Sequence, residues 1–150
     1  LPEFDLLIIG GGEKESQLRA QIKSLGLEGQ VELKGALRPE TLREYYQAAD
    51  ALVLASSREG WANVLLESMA CGTPVIASNV WGTPEVVAEP VAGVLMPSLD
   101  ASGIVTAVNQ LFADYPQHTD TRSYAENFSW DATSEGQLDI FRSIIEGQVL

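Results

Sequence analysis

The sequence is poor in cysteine, histidine and positive charge. Its 150 residues contain one cysteine, Cys71, and one histidine. A single cysteine excludes an intrachain disulfide and fits a reducing compartment, so we expect a cytoplasmic protein. Nine basic against 21 acidic side chains give a formal charge of −12. Such acidity argues against binding to nucleic acid or directly to an anionic membrane surface.

Long apolar runs are also missing. No run approaches the roughly 20 residues that a bilayer-spanning helix needs. The composition, with 45% hydrophobic and 20% charged residues, is that of an ordinary globular protein. The length is enough for one domain with its own core.

The sequence does contain an alternation of short apolar runs and helical patterns. Continuous apolar runs predict buried strands at 4–9, 31–33, 51–55 and 74–78. Residues with helical spacing follow each of them, which predicts a Rossmann-like α/β fold with a parallel sheet and helices on both faces. In such folds ligands bind beyond the carboxyl ends of the strands. Further along, residues 115–121 are predicted to form a polar loop and Trp130 to anchor the last helix by packing.

The segment 56–78, SSREGWANVLLESMACGTPVIAS, has the most chemical content. Glu59 falls in the loop before a predicted helix, and Glu67 lies one turn into that helix, on the same face as Asn63. A helix N-terminus at Trp61–Val64 favours an anion such as phosphate. Because the two carboxylates can accept hydrogen bonds from hydroxyl groups, the segment suits a sugar nucleotide. The apolar neighbours of Glu67 predict that it is buried and has a partner.

The spacing Glu59-x7-Glu67 within EGWANVLLESMACGTPVIAS, an EX7E motif, resembles the signature of retaining glycosyltransferases of family 4, also called glycosyl transferases group 1. The flanking segments LLIIGGGEKESQLRAQIKSLGLEGQVELKGAL, VWGTPEVV and NFSWDATSEGQLDIF are similar to that family too. The resemblance implies the GT-B architecture of two Rossmann-like domains facing a cleft. Residues 1–150 would then be a single nucleotide-sugar-binding domain, the C-terminal half, lacking its first strand and helix and the separate N-terminal acceptor domain.

The resemblance also implies roles for individual residues. Glu59 would be the catalytic-site carboxylate that contacts the transferred hexose, although not as a nucleophile, and Glu67 would bind the ribose diol. Leu37 would contact the base through its main chain, and Glu40 would influence which base is accepted. The main chain lining the sugar and phosphates would come from Trp61, Ala62, Asn63 and Val64. The donor would be a UDP-, GDP- or ADP-sugar, with no metal and no other cofactor.

Two departures from the family pattern stand out. Glycine-like residues are usual where this sequence has Ala62 and Trp81, and Trp81 is expected to narrow the sugar pocket or to cover the acceptor side. The arginine and lysine that usually meet the pyrophosphate are absent, and the cations nearest the motif are Lys34, Arg38 and Arg58. We therefore expect weak donor binding and little catalysis without the N-terminal domain. Any membrane contact, at the inner face, would come through that domain.

Other functions stay open at this point. A sugar-nucleotide epimerase or a phosphorylase of the same architecture is less favoured, because the loop and helix around Glu59 and Glu67 match the transferases better. A non-catalytic binding module is a third alternative. The Gly10–Gly12 turn does not predict a dinucleotide site, because Glu15 occupies the position of the third glycine.

Overall fold

A computed structural model describes residues 4–147, apart from the side chain of Ala132. The chain divides into two compact units, Leu1–Glu44 and Tyr45–Leu150. The first unit contains β1 (Leu6–Ile9), α1 (Glu15–Ser24), β2 (Val31–Gly35) and the beginning of α2 (Pro39–Ala48). Its two strands pair in parallel, with Leu6 opposite Val31.

The second unit holds the rest of α2 and a three-stranded parallel sheet in the order β3-β4-β5. Its elements are β3 (Leu52–Leu54), α3 (Asn63–Ala70), β4 (Val75–Ser78), α4 (Thr83–Val86), β5 (Gly93–Met96), α5 (Ala101–Ala113), α6 (His118–Glu126) and α7 (Trp130–Ile145). The predicted α/β class with parallel strands is confirmed. Within the described residues, the five strands hydrogen-bond in two groups rather than in one continuous sheet.

The central strand β4 is buried on both faces, as its unbroken apolar sequence predicts. Val75 and Ala77 point to one face, where they pack with Leu65 and Met69 of α3. Ile76 points to the other face and packs with Leu111 of α5. This period of two places helices on both sides of the sheet. Each fully buried large aliphatic side chain contributes roughly 2 kcal/mol to folding.

The first residues of β4 and β5 lie so close together that one of them has to be a glycine. Gly93 has a φ of +140°, and a Cβ atom there would overlap the backbone of Val75. The backbones of β4 and β5 can therefore pair in register from the first residue of each strand.

The prediction of a polar loop at 115–121 is wrong beyond Gln117, because α6 begins at His118. The buried face of α6 consists of Thr121, Tyr124 and Ala125, which are too small or too polar to give a strong apolar period. The hydroxyl of Thr121 donates to the carbonyl oxygen of Val91 at 2.7 Å. A buried hydrogen bond therefore helps to hold α6 in place where an aliphatic stripe would be expected.

The prediction that Trp130 anchors the last helix by packing is also wrong. Its side chain is 78% exposed, and the large apolar side chains Leu138, Phe141, Ile144 and Ile145 of α7 are exposed as well. The large apolar side chains of α7 do recur at helical spacing, as predicted. Within residues 4–147, however, none of them belongs to a core cluster. No helix among residues 4–147 has both the length and the apolar character that crossing a bilayer requires.

Candidate functional site

The loop after β3 leads directly into α3, and this junction places four of the residues singled out from the sequence. Glu59 lies in the loop and is partly exposed, and α3 begins at Asn63 as predicted. Ala62 is the N-cap residue, and no side chain of the described structure caps the helix. The N–H groups of Asn63 and Leu65 donate to the carbonyl oxygens of Trp61 and Ala62, at 3.1 and 3.0 Å. The N–H of Val64 lies between them in the first turn of α3, where the positive end of the helix dipole favours an anion.

Ala62 shows how this junction accepts a residue larger than glycine. Its methyl group is only 3% exposed and belongs to the core cluster that includes Leu65 and Met69. Because that side chain faces inward, only the main chain of Ala62 is available to a ligand. Trp61, in contrast, is about half exposed, and its ring lies 6.1 Å from that of Phe128.

Glu67 is on α3 one turn after Asn63, but it is exposed, so the prediction of a buried carboxylate is wrong. The apolar neighbours that suggested burial, Leu65 and Met69, cover the opposite side of the helix, since each lies two residues away and thus about 200° around the axis. The expected partner does exist. The hydroxyl of Tyr46, at the end of α2, donates to Oε2 of Glu67 at 3.4 Å.

Tyr46 is held firmly in place. Its side chain is 7% exposed, and its carbonyl oxygen accepts a hydrogen bond of 2.5 Å from Oγ1 of the buried Thr73. Burial, together with the negative charge of Glu67 and the hydrogen bond to it, raises the pKa of Tyr46 to about 12. Tyr46 was not among the residues predicted for the site, because nothing in the sequence links it to Glu67, 21 positions away.

The loops after β3 and β4 are joined at the carboxyl edge of the sheet. The hydroxyl of Ser78, the last residue of β4, donates to the carbonyl oxygen of Ser56 at 2.6 Å. Beyond Ser78 comes Trp81, which is 70% exposed and has a φ of +45°. Thr83 follows at the start of α4. Its hydroxyl is buried and has no hydrogen-bond partner among the described residues, which marks it as a group available to water or ligand.

The two predicted base-contacting residues belong to the other unit. Leu37 is partly buried just before α2, and Glu40 is exposed in the first turn of that helix. Of the three cations nearest the motif, Arg58 is exposed beside Glu59 and Arg38 is exposed just before α2. Lys34 forms an ion pair with Glu32 at 2.7 Å.

A cavity of about 360 Å³ lies elsewhere, beside the amino end of β5. It is lined in part by Gly93, Val94, Gln110, Glu89 and Asp114, and by none of the residues predicted for the site. Since its charged lining is acidic, it does not suit an anionic ligand. An anion is better suited to the start of α3, where Ala62 makes no side-chain cap hydrogen bond. No group of three His, Cys, Asp or Glu side chains that could hold a metal ion occurs within residues 4–147.

Comparisons with known proteins agree with this architecture. The family model described as "Glycosyl transferases group 1" matches residues 1–128. A D-inositol 3-phosphate glycosyltransferase from Segniliparus rotundus is 32% identical over 158 aligned positions, which cover 99% of this chain and 35% of that protein. An uncharacterized glycosyltransferase from Methanocaldococcus jannaschii is 28% identical, covering 94% of this chain and 37% of that protein.

Solved structures show the same fold. A sucrose-phosphate synthase from Thermosynechococcus elongatus superposes with a TM-score of 0.75 at 27% identity, over 98% of this chain and 40% of that one. Anabaena HepE in complex with UDP-glucose superposes with a TM-score of 0.79 at 23% identity, over 95% of this chain and 42% of that one. The chain thus spans about a third of the length of the curated relatives it matches. It belongs to the glycosyl transferases group 1 family.

Proposed function

We propose that this chain is the donor-binding part of a retaining glycosyltransferase of family 4, which transfers a hexosyl group from a nucleotide-diphosphate sugar to an acceptor. The observation that carries this proposal is the uncapped start of α3, preceded by Glu59 and followed by Glu67 on the exposed side of the helix. A diphosphate placed there meets main-chain N–H groups and the positive end of a helix dipole. These groups stabilise the leaving nucleotide diphosphate as the glycosidic bond breaks, without a divalent ion.

The remaining assignments follow from position. Glu67, one turn into α3, accepts hydrogen bonds from the ribose diol. Glu59, in the loop before the helix, accepts them from hydroxyl groups of the hexose as positive charge develops at its anomeric carbon. Leu37 and Glu40 are assigned to the base. Val64 is assigned to the phosphates through its main-chain N–H, and Asn63 through its exposed side chain, because the N–H of Asn63 donates to the carbonyl oxygen of Trp61 at 3.1 Å.

The rest of the site is proposed to come from elsewhere in a longer protein. With a formal charge of −12 and, among residues 4–147, only Arg58 as an exposed cation next to Glu59, this chain neutralises a diphosphate poorly. An N-terminal domain would supply the acceptor site, and a segment before residue 1 would supply an arginine and a lysine for the pyrophosphate. We therefore expect the chain alone to bind donor weakly and to transfer little sugar. We place the whole enzyme in the cytoplasm, with any peripheral contact with the inner membrane face made by the other domain.

Nucleotide binding to the chain itself tests the ribose assignment. NMR titration with UDP, GDP and ADP, and then with UDP-glucose, should show weak, saturable shifts around α3. UDP-glucose is the first sugar nucleotide to try because Anabaena HepE is described in complex with it. Glu67→Ala should weaken the binding about tenfold, because a hydrogen-bonded charged acceptor is lost. Glu135→Ala, an exposed carboxylate on α7, is the matched control and should leave it unchanged. Equal affinities for wild type and Glu67→Ala would overturn the ribose assignment.

Turnover in the longer protein tests the role of Glu59. Glu59→Ala should reduce kcat far more than it weakens nucleotide binding, since the contact is made to the reacting sugar. Unchanged turnover would mean that the hexose lies elsewhere.

Proton NMR of the anomeric centre of the product tests retention. A product of inverted configuration would contradict the assignment to family 4.

A further inference from the structure

The end of α2 and the end of α3 are connected through one buried residue. Oγ1 of Thr73 donates to the carbonyl oxygen of Tyr46 at 2.5 Å. The N–H of Thr73 donates to the carbonyl oxygen of Ser68 at 3.1 Å, and Oγ of Ser68 donates to the carbonyl oxygen of Thr73 at 3.0 Å. Because Thr73 and Ser68 are fully buried, these bonds fix the backbone of Tyr46 relative to the helix that carries Glu67.

The side chain of Tyr46 makes a second connection between the same two helices. Its ring is buried, and its hydroxyl reaches Oε2 of Glu67 at 3.4 Å. An exposed glutamate otherwise samples many rotamers, and ordering it on ligand binding costs free energy. A donor mounted on a buried, anchored ring has already lost most of its own freedom, so it can restrict the carboxylate at little further cost.

We propose that Tyr46 is a positioning residue for nucleotide binding: its hydroxyl holds Oε2 of Glu67 so that Oε1 faces the vicinal diol of a ribose. This inference rests on the proposed function, in which Glu67 binds that diol. A carboxylate has two oxygens and about four lone-pair directions, so one oxygen can accept from the phenol while the other accepts from the diol. Tyr46 itself does not touch the ligand.

A purely structural role for Tyr46 makes a different prediction. The buried ring fills space in the core, and phenylalanine would fill it equally well. If packing were its only role, removing the hydroxyl would not change how the protein distinguishes a ribose from a sugar without the diol. The hydroxyl alone therefore separates the two roles.

The test compares the best-binding nucleotide among UDP, GDP and ADP with its 2′,3′-dideoxy analogue. Tyr46→Phe should weaken binding of the ribonucleotide about three- to fivefold, since 3.4 Å is long for an O–H···O bond and its net contribution is modest. Binding of the dideoxy analogue should not change. In a Glu67→Ala background, Tyr46→Phe should have no further effect on either ligand. The matched control is Tyr115→Phe, which removes a hydroxyl that donates to the carbonyl oxygen of Asp50 at 2.7 Å and should leave the ratio of the two affinities as in wild type.

The outcomes separate this inference from the function on which it rests. If wild type prefers the ribonucleotide, Glu67→Ala abolishes the preference and Tyr46→Phe retains it in full, the positioning role is overturned while the ribose assignment stands. If wild type does not distinguish the two ligands, both are overturned. Wild-type protein with ¹³Cζ-labelled tyrosine gives a check that needs no variant. The ribonucleotide should shift the Tyr46 resonance and the dideoxy analogue should not; equal responses would contradict the proposal.

Discussion

Gly82 lies against the backbone of Gly60 so closely that a Cβ atom at Gly82 would overlap the carbonyl oxygen of Gly60. This approach joins the loop that carries Glu59 to the loop that leads into α4. Together with the hydrogen bond between Ser78 and Ser56, it fixes the carboxyl edge of the sheet at two points. The position of the loop that carries Glu59 therefore depends on Gly82, which is more than 20 positions away in the sequence.

Gly82→Ala should destabilise the protein by about 1–3 kcal/mol, because the added methyl group meets backbone that can give way only by moving the loop. The displaced loop should also weaken sugar-nucleotide binding. Urea unfolding and NMR titration with UDP-glucose measure the two effects.

Gly60→Ala is the matched control on the other side of the same contact. A Cβ atom at Gly60 has no neighbour within 4 Å, and the φ of Gly60 is not in the left-handed region. Its stability should therefore change little. Equal losses for the two variants would mean that backbone freedom, rather than the close approach, requires glycine here.

Thr83→Val should leave stability unchanged or raise it by up to about 1 kcal/mol, because a buried hydroxyl without a partner in the described chain is replaced by a methyl group. Thr121→Val is the contrast. Thr121 is equally buried, but its hydroxyl donates to the carbonyl oxygen of Val91, so its loss should cost about 1–3 kcal/mol. Thermal unfolding distinguishes them. A large loss for Thr83→Val would show that a bound water already pairs with that hydroxyl.

Local signals in the sequence predicted the elements well where packing and local preference agree. The apolar run of β4 agrees with its burial in the sheet. The helices predicted to start near Pro39 and Asn63 each bury one side, with Tyr46 in α2 and Leu65 and Met69 in α3. For α6 the cue was weak, because its buried face is anchored by a hydrogen bond from Thr121 instead of aliphatic contacts. For α7 the apolar stripe was visible, but periodicity alone does not show whether a stripe is buried, and in the described residues this one is exposed.

The candidate site was predicted only in part, for a physical reason. Glu59, Asn63 and Glu67 are close in sequence, so helical geometry fixes their spacing. Two other contacts depend on how α2 and α4 pack, which no local pattern encodes. They are the contact between Tyr46 and Glu67 and the contact between Gly82 and Gly60. Which side of α3 carries Glu67 could have been predicted from its 200° offset from Leu65 and Met69.

Trp81 occupies the left-handed region at a φ of +45°, where a non-glycine residue carries strain of roughly 1–2 kcal/mol. Because its side chain is mostly exposed, little packing is lost on substitution. Trp81→Asn should therefore raise the free energy of unfolding by about 1 kcal/mol, and Trp81→Val should lower it by a similar amount, since β-branched residues tolerate this region poorly. Urea unfolding gives the order. A Val variant as stable as the Asn variant would show that the loop relaxes to a negative φ.

Asp100 caps α5: its side chain accepts hydrogen bonds from the hydroxyl of Ser102 at 2.7 Å, from the N–H of Gly103 at 2.8 Å and from the hydroxyl of Ser98 at 3.0 Å. These bonds favour the ionised form, and they lower the pKa of Asp100 below its ordinary value of 3.8. The stability that Asp100 contributes is therefore fully present above the ordinary pKa, and it is lost as the pH falls through the lowered pKa of the folded state.

Asp100→Ala should lower the thermal midpoint by a few degrees at neutral pH, because the cap is lost. Asp100→Asn should retain most of that stability, since an amide oxygen can still accept from Gly103. Both variants should lose less stability than wild type between neutral pH and the acid limb, because neither has a carboxylate there to protonate. Thermal unfolding across that range measures this. If Asp100→Asn were as acid-sensitive as wild type, the acid response would come from other carboxylates, and the cap would stabilise α5 through geometry without its charge.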